Sequence, residues 1–144
     1  TSSSSVVSGS TATLTLTGYD AYGNALTTGG ETVAFAYSGG TSTGTIGTVT
    51  NVGNGTYTAI FTGVLAGTPS AVSATIGGSA VTTASPSITV TPGAFNPANS
   101  LITASATTVQ SGNNVTVTLQ ARDAAGNNLS TGGSSVVFSR SGGT

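Results

Sequence analysis

From Thr11 to Gly18 the chain alternates strictly, with Ala12, Leu14, Leu16 and Gly18 on one face and Thr11, Thr13, Thr15 and Thr17 on the other. A period of two with one polar face predicts a half-buried β-strand. The same reading predicts strands over Thr32–Tyr37, Gly47–Val52, Thr56–Thr62, Ala71–Ile76 and Val81–Val90, and an edge strand near Ser4–Val7. Val33, Phe35, Tyr57, Ala59 and Phe61 face inward. Tyr22-Gly23-Asn24, Gly53-Asn54-Gly55 and Gly77-Gly78 supply the turns between strands.

The pattern then begins again. Residues 8–41 match residues 111–144 at a constant offset of 103 without a gap, and 19 of the 34 aligned positions are identical. Asp20-Ala21-Tyr22-Gly23-Asn24-Ala25-Leu26 aligns with Asp123-Ala124-Ala125-Gly126-Asn127-Asn128-Leu129. A period of that length is one small β-domain. About seven short strands in it predict an all-β, immunoglobulin-like sandwich, followed by an incomplete second repeat. We read residues 1–91 as the complete repeat and 92–100 as a linker stiffened by Pro92 and Pro97. Residues 101–144 then hold about three strands of the second repeat. There Val115, Val117, Leu119, Val136 and Phe138 face a core whose other half lies outside the chain, which makes them candidates for strand pairing between copies.

Composition narrows the chemistry. Thr, Ser and Gly make up half of the 144 residues, and only 3% are charged against about 25% in an ordinary domain. There is no His, Cys, Met, Trp or Lys. Without His, Lys or Cys, no nucleophile, base and orienting group can be assembled from two Asp and one Glu at distant positions. We therefore expect no enzyme, no catalytic residue and no cofactor. Two Arg cannot form a basic patch, so nucleic acid is a poor partner. No apolar run approaches the ~18 residues of a membrane span, and the Thr-Ser start does not resemble a signal peptide. A start without Met suits a processed or excised segment. Only Arg122 and Arg140 offer sites to trypsin, and neither lies in the first repeat.

Three sets of residues invite a functional reading. Asp20 with Asn24, and Asp123 with Asn127, are weak Ca²⁺ candidates at a domain junction, although that ion usually takes 6–8 oxygens. The plainer reading is a turn in which Asp accepts from its own backbone while the following Gly takes φ > 0. Tyr19, Tyr22 and Tyr37 could contact a ligand such as a sugar, against ordinary packing at loops and strand ends. Tyr57 has the spacing of a tyrosine corner, yet two further strands follow it, which favours a core aromatic with its hydroxyl at the rim. Sequons at Asn54, Asn114 and Asn128 and the Ser2–Ser5 run are weak glycosylation signals in a Thr/Ser-rich chain.

Three segments in order carry a resemblance: Asp20 to Leu26, Gly55-Thr56-Tyr57-Thr58-Ala59, and Ile88-Thr89-Val90-Thr91-Pro92-Gly93 leading into Asn99-Ser100-Leu101-Ile102-Thr103-Ala104-Ser105. Together they resemble the bacterial Ig-like repeats of the invasin/intimin adhesins, and the Gly-Thr-Tyr strand is similar to one in filamin repeats. The resemblance implies an extracellular or bacterial cell-surface location and a structural spacer in a stalk or fibre. Partners would be neighbouring repeats or other copies, with a host glycan or protein bound by a tip domain elsewhere. The alternatives are a glycan- or protein-binding Ig-like module that uses its end loops, or a decoration domain of a phage or virion fibre.

Overall fold

The computed structural model describes residues 4–141. Residues 5–91 carry nine strands: β1 (Ser5–Val7), β2 (Thr11–Thr17), β3 (Val33–Ser38), β4 (Thr43–Ile46), β5 (Thr50–Asn51), β6 (Thr56–Leu65), β7 (Ser70–Ile76), β8 (Ser79–Ala80) and β9 (Ser87–Thr91). One sheet runs β1-β9-β7-β3 with β8 attached to β7, and the other runs β2-β6-β4 with β5 attached to β6. All pairings are antiparallel except β1 with β9.

Alternation turns one face of each sheet toward the other. Val6, Val72, Ile88 and Val90 from the first sheet meet Ala12, Leu14 and Phe61 from the second in one core, against which Phe35, Tyr37 and Ile46 pack. Tyr37 and Phe61 meet edge to face with ring centroids 5.6 Å apart, the favoured aromatic geometry. Two buried serines bolt the sheets together: the Ser70 hydroxyl donates to the Ser42 carbonyl (2.8 Å), and the Ser42 hydroxyl accepts from the Val90 N–H (2.9 Å).

Two predicted strands differ from the structure. In place of Gly47–Val52 there are two short strands, β4 and β5, on either side of residues 47–49. Ile46 pairs with Phe61 and Thr50 with Thr58, so four steps along this side match three along β6. One residue bulges out, and a bulge leaves no mark in the alternation. Val81–Val90 is likewise not one strand, because residues 82–85 leave the sheet between β8 and β9, after a last Val81 N–H bond to the Ala74 carbonyl (2.9 Å). Pro86 lacks a ladder donor, and its carbonyl alone remains in use, accepting from the Val72 N–H (2.8 Å).

Beyond β9, β10 (Leu101–Ala104) pairs antiparallel with β11 (Val117–Gln120). β11 is the counterpart of the second half of β2 at the offset of 103. The counterparts of β1 and β3, residues 108–110 and 136–141, are not strands. In the first copy, among the described strands, β1 pairs with β9 and β3 with β7. Among the described residues the second copy has no equivalent of either partner. Among the described residues two strands of the expected three are therefore present, because alternation cannot make a strand without a neighbour to bond.

Candidate functional site: two copies of one turn

The Asp-to-Asn segment folds identically in both copies. Asp20 Oδ1 accepts from the Tyr22 and Asn24 backbone N–H groups at 2.9 Å, and Asn24 Nδ2 donates to Asp20 Oδ2 at 3.0 Å. In the second copy Asp123 Oδ1 accepts from the N–H groups of Ala125 and Asn127 at 2.9 Å, and Asn127 Nδ2 donates to Asp123 Oδ2 at 2.8 Å. Gly23 and Gly126 sit at φ 83° and 86°, a conformation that admits glycine most readily. Each turn is thus closed by its own hydrogen bonds. Each carboxylate faces N–H donors, which suit an anion and repel a cation. No cluster of three or more acidic, His or Cys side chains exists among the described residues. The plainer reading of these residues, a turn, is what the geometry supports.

The surroundings of the two turns differ completely. Asp20 and Asn24 are exposed, whereas Asp123 and Asn127 are buried. The second turn is seated on the end of the first sandwich. Asn127 Oδ1 accepts from the Ala66 N–H (2.8 Å), and Asn127 Nδ2 donates to the Val64 carbonyl (2.8 Å) and the Ser8 hydroxyl (3.2 Å). The Ser8 hydroxyl itself donates to the Val64 carbonyl at 2.7 Å. The Gly93 N–H donates to Asp123 Oδ2 at 2.8 Å. A β-carbon on Gly93 would lie 3.1 Å from the Ser8 carbonyl oxygen, so a bare glycine lets the connecting segment pass between the two bodies. Behind the turn, Asn99 Nδ2 donates to the Ala124 carbonyl (2.8 Å), the Asn96 N–H to the Arg122 carbonyl (2.6 Å), and the Arg122 N–H to the Ser100 hydroxyl (3.1 Å). Burial raises the Asp123 pKa, but the Asn127 amide and the N–H groups of Gly93, Asn127 and Ala125 outweigh it and hold the carboxyl at about 2. The repeat and the Asp/Asn spacing point to these two residues. Nothing in the sequence marks Ser8, Val64 and Ala66 as their receivers, because two of the three contribute only backbone atoms.

The tyrosines do not form one platform. Tyr37 is committed to the core, where its hydroxyl donates to the Gly44 carbonyl (2.7 Å) and accepts from the Gly44 N–H (3.2 Å). Tyr19 and Tyr22 stay exposed beside the Asp20 turn, Tyr22 at 91%. Tyr57 is buried, and its hydroxyl accepts from the N–H groups of Gly30 and Glu31 at 3.1 and 3.0 Å, tying the loop before β3 to β6.

The second copy also shows an uncovered apolar face. Val117 is 45% exposed, while its counterpart Leu14 in the first copy is 1% exposed. Val136 and Phe138 are about half exposed where Val33 and Phe35 pack inward, and Val115 and Leu119 are half-buried. Val117, Leu119, Val136 and Phe138 line an open groove of about 950 Å³ together with Phe95 and Ile102.

The family described as "Invasin, domain 3" matches residues 2–93. Among solved structures, the chain is similar to FdeC, a broadly conserved Escherichia coli adhesin, at 28% identity and a TM-score of 0.61, over 86% of this chain and 39% of that one. It is similar to invasin, a bacterial integrin-binding protein, at 24% identity and a TM-score of 0.64, over 88% of this chain and 26% of that one. The Yersinia pseudotuberculosis adhesin InvE shows 23% identity and a TM-score of 0.59, over 84% and 32% of the two chains. The last two likenesses speak for the fold. The chain spans about a quarter to two fifths of the length of these structures. No protein of curated function matches the chain in sequence. With its Ig-like sandwich and a family match over most of its length, the chain belongs to the invasin domain 3 family, Ig-like modules of bacterial cell-surface adhesins.

Proposed function

We propose that this chain is a non-catalytic spacer of a bacterial adhesin, in which residues 1–91 form a complete repeat, 92–100 a linker and 101–144 the opening part of the next repeat. Recognition of a host receptor belongs to other parts of the parent protein. The observation that carries this reading is the joint: the Asp123–Asn127 turn satisfies backbone groups of Val64 and Ala66 and the Ser8 hydroxyl. Neutral hydrogen bonds contribute about 0.5–1.5 kcal/mol each, and several acting on a prebuilt turn hold two bodies at a set angle. A set angle is what a spacer requires.

Small-angle scattering on the whole chain tests this with Asn127→Ala. The parent should scatter as one extended shape, and the variant as a spread of inter-repeat angles with the thermal midpoint of the first sandwich unchanged. A parent chain already as spread as the variant would overturn the reading.

The uncovered face favours a second reading, in which strands of another copy complete the second repeat. Light scattering over a wide concentration range decides it. Growth into large species supports completion between chains, and a constant mass near 13.6 kDa rules it out.

A further inference from the structure

The Asp20 turn has the same internal geometry as the docked Asp123 turn and none of its external partners. Asn24 uses its side-chain amide on Asp20 alone among the described residues, whereas the Asn127 amide reaches Ala66, Val64 and Ser8. We propose that the exposed Asp20–Asn24 turn is a docking plug for the far end of another Ig-like repeat, one joined ahead of Thr1 in the same polypeptide. That end would present a hydroxyl, a carbonyl and two N–H groups in the arrangement of Ser8, Val64, Ala66 and Gly93. The inference rests on the spacer reading and names the partner of a surface that reading leaves unused.

Four observations carry it. The plug is finished before it docks, since both turns close the same hydrogen bonds, down to Leu26 N–H to Gly18 O and Leu129 N–H to Ala121 O at 2.9 Å each. Docking then costs little ordering entropy. The bulky neighbour does not obstruct, because Tyr22 occupies the place of Ala125, which stays exposed when its turn is docked. Continuity points the same way: among the described residues Leu14–Thr17 of β2 pair with β6, whereas their counterpart β11 pairs with β10, the segment that follows the linker. Finally, the Asp20 oxygens already accept three N–H donors, and among the described residues no cluster of three or more acidic, His or Cys side chains exists to draw a cation to them.

The test is a tandem protein in which residues 1–103 are joined directly ahead of the full 144-residue chain. The offset of 103 then places the inner Asp20 where Asp123 stands relative to the first sandwich. Proton exchange at the side-chain amides of Asn24 and Asn127 is read by NMR with residue-selective labelling. The inner Asn24 amide should exchange about tenfold more slowly than the outer one, a difference of roughly 1.4 kcal/mol in protection. Asn24→Ala in the inner copy should widen the scattering envelope, and the same change in the outer copy should leave it unaltered. Equal exchange at both Asn24 positions with Asn127 still protected overturns the plug and leaves the spacer reading standing. Loss of protection at Asn127 as well overturns both.

Discussion

Tyr57 shows what one side chain can hold. Its ring fills the core and its hydroxyl is the acceptor for two backbone donors of the loop that leads into β3. Tyr57→Phe keeps the ring and strands both N–H groups, so it should destabilise the first sandwich by about 1–3 kcal/mol in denaturant unfolding. Asp123 works through charge. Its carboxyl has an ordinary value of 3.8 and lies at about 2 in the structure, so its contribution to the joint is complete above about pH 4 and lost as pH falls toward 2. The Asp20 carboxyl is also lowered, by the Asn24 side chain and backbone foremost, and responds in the same direction. Scattering at pH 6 and pH 2 should show the inter-repeat angle become variable in acid, while β-sheet circular dichroism persists. An angle unchanged at pH 2 would contradict this role of Asp123.

The strands raise a different matter. Val33 to Ser38 is a strand in the first copy, and residues 136–141, which keep its Val, Phe and Ser at the first, third and sixth positions, are not. The difference is the partner, since β3 is held by β7 from Val33 opposite Ile76 to Ser38 opposite Ala71. Appending residues 42–91 after Thr144 continues the alignment of Thr41 with Thr144 and supplies the missing partners. In that chimera the amides of Val136, Val137 and Phe138 should exchange slower by about two orders of magnitude or more than in the parent chain. Unchanged exchange would show that the second copy cannot complete the fold. The same dependence explains which elements were legible beforehand. β2, β3, β6 and β7 announce themselves by alternation on faces with a core behind them. The β4–β5 bulge and the exit at residues 82–85 follow from pairing to β6 and from Pro86, which alternation does not report.

At the largest scale, the described residues join the nine-stranded sandwich to the β10–β11 pair through a hydrogen-bonded seat. This contrast governs its response to proteases. Arg122 is held by Ser100 through its N–H, by Asn96 through its carbonyl and by Asn128 through its guanidinium, whereas Arg140 is exposed in an irregular segment. Limited trypsin digestion followed by mass spectrometry should therefore show cleavage after Arg140 well before cleavage after Arg122. Residues 1–100 should remain intact, since they contain neither Arg nor Lys.

The amino-acid sequence by itself determined the all-β class, the 103-residue repeat, the inward faces of the main strands and the two Asp-to-Asn turns. These are local matters: a period of two, a glycine at positive φ, and an aspartate within reach of its own following N–H groups. It also removed most site chemistry, because groups that are absent cannot act. Only the tertiary structure decided that one turn is seated and its twin exposed, because the seat consists largely of carbonyl and N–H groups that every residue carries. Only it decided that Tyr37 belongs to the core and not beside Tyr19 and Tyr22, and that alternating residues in the second copy remain outside a sheet. Pairing and docking depend on what lies across the gap, and the sequence of one segment does not contain its neighbour.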